Sequence, residues 1–339
     1  MMSWLPLLLA DSSPNLRYLV LKHLMDEVDE AAELEEIRLE DPIVKKLLVE
    51  QNADGSWSQS SINGNAPQGK VQVTAQALTR LGYLEIEHPA IERGAEYIYS
   101  QQRRDGSWPL GNYKTDSDGQ EGYDVMSLQT SLPLIGIGYA GYSEDPRSEA
   151  AFDWLFEQRL TDGAWPTGVA SGVYGYVAGY RRLPHSRWGC RSNTTAAVTS
   201  LSMHSERRMG SEIHRAMDHL LGRETRERYN LGFDVARMIG VEASTGFITY
   251  FARFDLAHIL KLVSRLGVSV QDPRVREVVE FILDHQGEYG LWEYSRPQAT
   301  RWITYDVLRS MRELRLDSEW LDLEPRTPFQ PYPRRRKRF

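Results

Sequence analysis

The sequence predicts an all-α fold, an (α/α) toroid or barrel of helix-pair repeats, and three observations predict it. A turn signature, Gln followed by Gly-x-Trp, recurs four times. An Asp-Pro or His-Pro dipeptide stands shortly before every copy. A second, largely apolar segment follows each turn. Repetition at a fixed period is the mark of stacked supersecondary units, none of which can bury its apolar face alone.

The first forty residues differ from the rest. Met1 to Ala10 is too short an apolar run, and too poor in basic residues, for a targeting segment, so a short helix is expected. Ser13-Pro14 opens a second, amphipathic helix, and the acidic run Asp26 to Glu40 reads as a solvated helix face. Residues 1–40 are therefore expected to cap the barrel, which spans 41–322. The Pro-rich, basic stretch 323–339 is a tail, whose cluster Arg334 to Arg338 reads as a solvated end.

Within the barrel the turn copies are Gln51 to Trp57, Gln102 to Trp108, Gln158 to Trp165 and Gln286 to Trp292, with Trp-to-Trp spacings of 51, 57 and 127 residues. The last spacing is about double, so one unit lost its marker, near Leu220 to Gly232. Asp41-Pro42, His88-Pro89, Asp145-Pro146 and Asp272-Pro273 open the outer helices. An Asp side chain accepts from the free N–H groups of a first turn, and proline at the first helical position loses no hydrogen bond. The Gly is expected to end each outer helix, and Gln and Trp to tie the turn to its neighbours. The inner helices follow at Val73–Leu78, Met126–Leu134, Asn193–Leu201, Phe254–Leu266 and Trp302–Leu314, several apolar on more than one face and hence buried.

Composition narrows the function. With 40 Lys and Arg against 47 Asp and Glu the net charge is −7, so no general attraction to nucleic acid is expected. The single cysteine, Cys190, excludes an intrachain disulfide and suits a reducing, cytoplasmic setting. No segment has the ~20 apolar residues of a membrane span, which leaves peripheral membrane contact open.

Arg93-Gly94-x-x-Tyr97-Ile98-x-x-x-Gln102-x-x-x-Gly106-x-Trp108 resembles the complete QW motif of squalene–hopene and oxidosqualene cyclases, and the other copies match its second half. The same helix-pair repeat occurs in the β subunits of protein prenyltransferases. The resemblance covers roughly 40 to 315 and implies a barrel with an apolar central cavity for an isoprenoid chain. It does not carry the chemistry over. The Asp-x-Asp-Asp acid motif of those cyclases is absent, its nearest approach being Asp116-Ser117-Asp118, where magnesium is a further option. The prenyltransferase zinc set is disfavoured, because Trp188 stands where its Asp would precede Cys190.

Four acids share another pattern, aromatic–Asp–aliphatic: Asp124, Asp234, Asp255 and Asp306. A helix-start carboxylate explains the pattern as well as a cavity acid does. If one acts as general acid, Asp124 and Asp255 are the first choices, Asp255 for its neighbours Phe251, Phe254 and His258. The segment Tyr174 to Thr195 is the least repeat-like, and Arg181, Arg187, Arg191 and His185 read either as an anion or diphosphate clamp or as surface charge. Cys190 with His185 as base is a third reading. Phe251, Phe254, Trp302 and Tyr305 are candidate cavity aromatics, with core packing as the alternative. The sequence thus supports a terpenoid cyclase or prenyltransferase-like protein holding an elongated isoprenoid ligand. Its rivals are a non-catalytic scaffold that kept the barrel and lost the site, and an enzyme of sugar polymers. The oligomeric state is not legible.

Overall fold

A computed structural model describes residues 4–64, 69–108, 114–115, 121–122, 126–170, 173–174, 181–183, 185–222, 230–244 and 250–315. Asp116, Asp118, Asp124, most of the loop between Tyr174 and Tyr180, and the basic tail lie outside them.

Nearly all the regular secondary structure among the described residues is helical. The N-terminal segment holds α1 (Leu5–Leu9), α2 (Pro14–Val20) with a π-turn over Leu21–Met25, α3 (Val28–Ala32) and α4 (Glu35–Arg38). Outer helices are α5 (Pro42–Val49), α7 (Pro89–Ser100), α9 (Pro146–Glu157), α11 (Ser211–Leu221) and α14 (Pro273–Asp284). Inner helices are α6 (Lys70–Tyr83), α8 (Ser127–Tyr139), α10 (Arg191–Leu201), α13 (Leu256–Arg265) and α15 (Pro297–Arg312), with the short α12 (Phe233–Met238) inserted between α11 and α13. Two hairpins of two-residue strands, Lys114–Thr115 with Glu121–Gly122 and Val169–Ala170 with Val173–Tyr174, are the only strand pairs among the described residues.

The outer helices start as the dipeptides dictate. Asp41, His88, Asp145 and Asp272 each accept from the backbone N–H two residues on. Each of these helices ends six residues before its glycine, not at it. Gly55, Gly106, Gly163 and Gly290 instead sit in the following turn, at φ between 74° and 97°, which disfavours any side chain.

The tryptophan then locks the turn in the same way four times. The indole Nε1–H of Trp57, Trp108, Trp165 and Trp292 donates to the carbonyl ten residues earlier, on Leu47, Ile98, Leu155 and Ile282, at 2.7–2.8 Å. The same residues' backbone N–H groups donate to Thr74, Thr130, Thr194 and Thr304 of the next inner helix at 3.0–3.2 Å. Each buried indole thus fastens an outer helix to its inner partner. Gln51 and Gln102 add a second tie, donating both to the turn and to the next outer helix, at Ala90 and Arg147. Gln286 reaches its own turn at Gly290. The third copy departs from the expected register: Arg159, not Gln158, stands six residues before its Trp.

The inner helices form a ring, and the fold is the all-α toroid. α6 packs on α8 and α8 on α10. A Cβ on Gly136 would stand 2.6 Å from the Ala75 carbonyl, so α6 and α8 meet backbone to backbone. Thr199 and His258, 2.9 Å apart, join α10 to α13, and α13 packs on α15. Tyr83 of α6 meets Trp302 of α15 at 6.3 Å between ring centres, which closes the circle. The N-terminal segment clamps that junction. Glu85, just past α6, takes Lys22 at 2.9 Å and His23 at 2.7 Å, and Arg38 donates to the carbonyls of Leu84 and Glu85.

An additional helix stands at the ring. The unit without a tryptophan carries an insertion, and its helix α12 enters the ring between α6 and α15. Arg80 of α6 holds α12 through the carbonyls of Met238 and Arg237. Among the described residues α12 lines one small, mainly apolar cavity of about 30 Å³ there.

Candidate functional site

Two cavities adjoin along the ring axis, and Tyr139 lines both. The small central one is walled by α12 (Asp234, Arg237, Met238), by Tyr250 and Phe251, and by Leu132, Ile135, Thr199 and His258 of the inner helices. The larger, about 310 Å³, is polar and lies where the inner helices end.

The central acid is Asp234. It is buried and paired with Arg237, whose guanidinium lies 3.3 Å from the centre of the Tyr250 ring. Burial pushes the Asp234 carboxyl up; the positive charges of Arg237 and Lys261 oppose that shift. Phe251 meets Tyr250 edge-on at 4.9 Å and lies against the His258 imidazole at 4.9 Å. Burial holds His258 well below the usual histidine range, helped by Lys261, Arg265 and Arg237, so the ring stays neutral beside Thr199. Phe251 adopts φ = 53°, a strained value for an aromatic residue, of the kind that gathers at functional sites. A buried acid whose proton affinity is raised, a neutral imidazole and two aromatic faces around one void are the groups that proton delivery and cation stabilisation need.

The other predicted site residues fall elsewhere. Asp255 lines neither cavity. Its carboxyl accepts from Ala257 N–H at 3.1 Å as cap of α13, and from Gly232 and Asp234 N–H at 2.8 Å each. Burial, then the charge of Asp234, raises its pKa to about 7, against the pull of those amides. Its geometry is that of a pin for α12. Asp306 sits well inside α15, not at its start, and pairs with Lys261 at 2.6 Å on the wall of the polar pocket. Asp124, Asp116 and Asp118 lie outside the described residues.

The residues of the expected anion clamp differ in their exposure. Arg181 and Arg191 are buried, whereas Arg187 is exposed over Trp188. Arg191 faces the Phe254 ring at 5.8 Å, and His185 is half-buried beside Gly222. Cys190 is fully buried. Of the candidate aromatics, Phe251 faces the central cavity; Phe254, Trp302 and Tyr305 pack in the wall, where Tyr305 accepts from Arg309. No group of three His, Cys, Asp or Glu among the described residues is disposed to hold a metal. No helix among them is long and apolar enough to cross a membrane.

Residues 20–180 match the model of the squalene–hopene cyclase C-terminal domain. A squalene–hopene cyclase of Zymomonas mobilis is 28% identical over 144 residues, 40% of this chain and 21% of that protein. Over these residues the chain is similar to squalene–hopene cyclases. A probable squalene–hopene cyclase of Sinorhizobium fredii is 29% identical over 119 residues, 34% of this chain and 18% of the relative. The chain thus matches only about a fifth of the length of these relatives. Among solved structures, a type II terpene cyclase from Scytonema with its geranylgeranyl dihydroxybenzoate substrate is 18% identical. The match covers 91% of this chain and 76% of the other, with a TM-score of 0.49.

Proposed function

We propose that the ring takes an elongated isoprenoid-type chain and that Asp234 is the acid that acts on it. The observation that carries this reading is the placement of Asp234: a buried carboxyl facing the central void beside Tyr250, Phe251 and neutral His258. In the proposed step the carboxylic proton passes to a terminal alkene carbon. The O–H bond breaks, a C–H bond forms, and the cation left on the chain lies against the aromatic faces. The squalene–hopene cyclase relatives support the substrate class.

Turnover of squalene and of shorter prenyl chains tests this, with Asp234→Asn as the variant. Loss of a general acid lowers the rate by roughly 10²–10⁴-fold, so the variant should bind the chain and form no measurable product. Equal product from both proteins removes Asp234 from the mechanism. The absence of the Asp-x-Asp-Asp motif from the sequence favours a second reading, a non-catalytic scaffold. It would be established by a protein that takes up no apolar chain, and whose α12 amides exchange no faster when such chains are offered.

A further inference from the structure

The polar pocket of about 310 Å³ has no part in the reading above, and its charges do not cancel. Lys261 is spent on Asp306 at 2.6 Å. Arg309 is spent on Glu313 at 3.3 Å and Glu85 at 3.5 Å, and Glu85 also has Lys22 and His23. Every acid on the pocket wall therefore has a cation. Two cations remain without an acid among the described residues, Arg265 and Arg208. Arg265 sends Nη2 to the Tyr139 hydroxyl at 3.3 Å and leaves a buried Nη1 with no acceptor among them; Arg208 is exposed at the rim. The Tyr83 hydroxyl on the same wall is also buried without a partner. Buried donors are rarely left unmade, because each costs about 1–3 kcal/mol. The Tyr139 phenol senses the surplus. Burial would push its pKa up, yet the charges of Arg265 and Lys261 bring it below the ordinary value.

We infer that this pocket binds a phosphate-type oxyanion, held between the guanidinium groups of Arg265 and Arg208 with the Tyr83 hydroxyl as a further donor. Its volume lies at the small end of the ~300–1,000 Å³ usual for ligand sites. Planar guanidinium forks suit phosphate oxygens better than a point charge does. The site does not need an apolar chain in the ring. If the ring does take one, Tyr139 joins the two spaces, and the guest is an isoprenoid with a phosphorylated head.

Titration calorimetry with inorganic diphosphate at low salt tests the pocket, on the full chain and on Arg265→Gln and Arg208→Gln. Each variant should bind at least tenfold more weakly at unchanged urea midpoint. Absence of binding by the unmodified chain overturns the inference. So does equal affinity in the variants, or a fall in their stability alone. The last result would mean that the arginines only answer the negative ends of the inner helices. A prenyl diphosphate binding no tighter than inorganic diphosphate would refute the chain-in-ring reading and leave the pocket standing.

Discussion

Replacing Trp57 by Phe should cost more than the same change at Trp108 or Trp292, although all three are buried indoles making the same bond. The difference lies in the acceptor. The Ile98 carbonyl also accepts from Gln101 N–H at 3.0 Å, and the Ile282 carbonyl from His285 N–H at 3.1 Å. Among the described residues the Leu47 carbonyl accepts from Trp57 alone. Losing one of two hydrogen bonds costs about 0.5–1.5 kcal/mol, whereas orphaning a buried acceptor costs about 1–3 kcal/mol. The smaller ring adds a cavity cost of about 1–2 kcal/mol that all sites share. Trp57→Phe should therefore lose about 3–4 kcal/mol and the other two about 2–3 kcal/mol each. Equilibrium urea unfolding of the three variants, compared at constant m-value, measures this. If Trp57→Phe is no worse than Trp108→Phe, the indole bond is not what fastens the repeats.

Two further perturbations probe the ring. Gly136→Ala forces a Cβ against the Ala75 carbonyl, which is backbone and cannot step aside, so overpacking should cost about 1–3 kcal/mol in the same assay; a loss below about 0.5 kcal/mol would mean that α6 and α8 are not in backbone contact. Glu85 makes the clamp acid-sensitive. Burial pushes its carboxyl up, but the hydrogen bonds from His23 and Lys22 outweigh that and bring it from 4.5 down to about 2. A depressed acid stabilises fully above its unfolded pKa and loses that contribution as pH falls, here between about 4.5 and 2. Discounted for its partial exposure, the loss is about 1–2 kcal/mol. Glu85→Gln should flatten that part of the stability–pH curve, and an unchanged curve would show that the clamp carries no net charge energy.

The repeat was legible because its chemistry is local. An Asp-Pro start, a glycine at positive φ and an indole ten residues past its acceptor all lie within one short stretch. The centre was not legible in that way. The α12 insertion has no tryptophan and no Asp-Pro, so nothing in its sequence says that it turns inward. The four aromatic–Asp–aliphatic acids did include the central one. The preference for Asp255 followed its apolar neighbours, yet a carboxyl in such a setting is held by whatever amides face it, and those come from α12, more than twenty residues away in the chain. The polar pocket was hidden for a related reason. Tyr139, Arg208, Arg265 and Asp306 belong to different segments, and only ring closure brings them to one wall.

The helix that lines the central cavity also carries its acid, and the carboxyl of Asp255 holds that helix through the amides of Gly232 and Asp234. A guest that displaces α12 must work against that grip. The apparent affinity for a guest is the intrinsic affinity multiplied by the fraction of molecules with α12 displaced. Asp255→Ala removes the acceptor of both amides. At about 1–2 kcal/mol each, the displaced fraction should rise roughly thirty- to a thousandfold. The variant should accordingly take up an apolar chain more tightly than the unmodified protein. It should also turn that chain over more slowly, because Asp234 is no longer held against the void. Tighter uptake with slower turnover is a pairing that a simple folding defect does not produce. Fluorescent-chain binding and product analysis on the same preparation read both quantities, and uptake no better than that of the unmodified chain would show that Asp255 does not gate the ring.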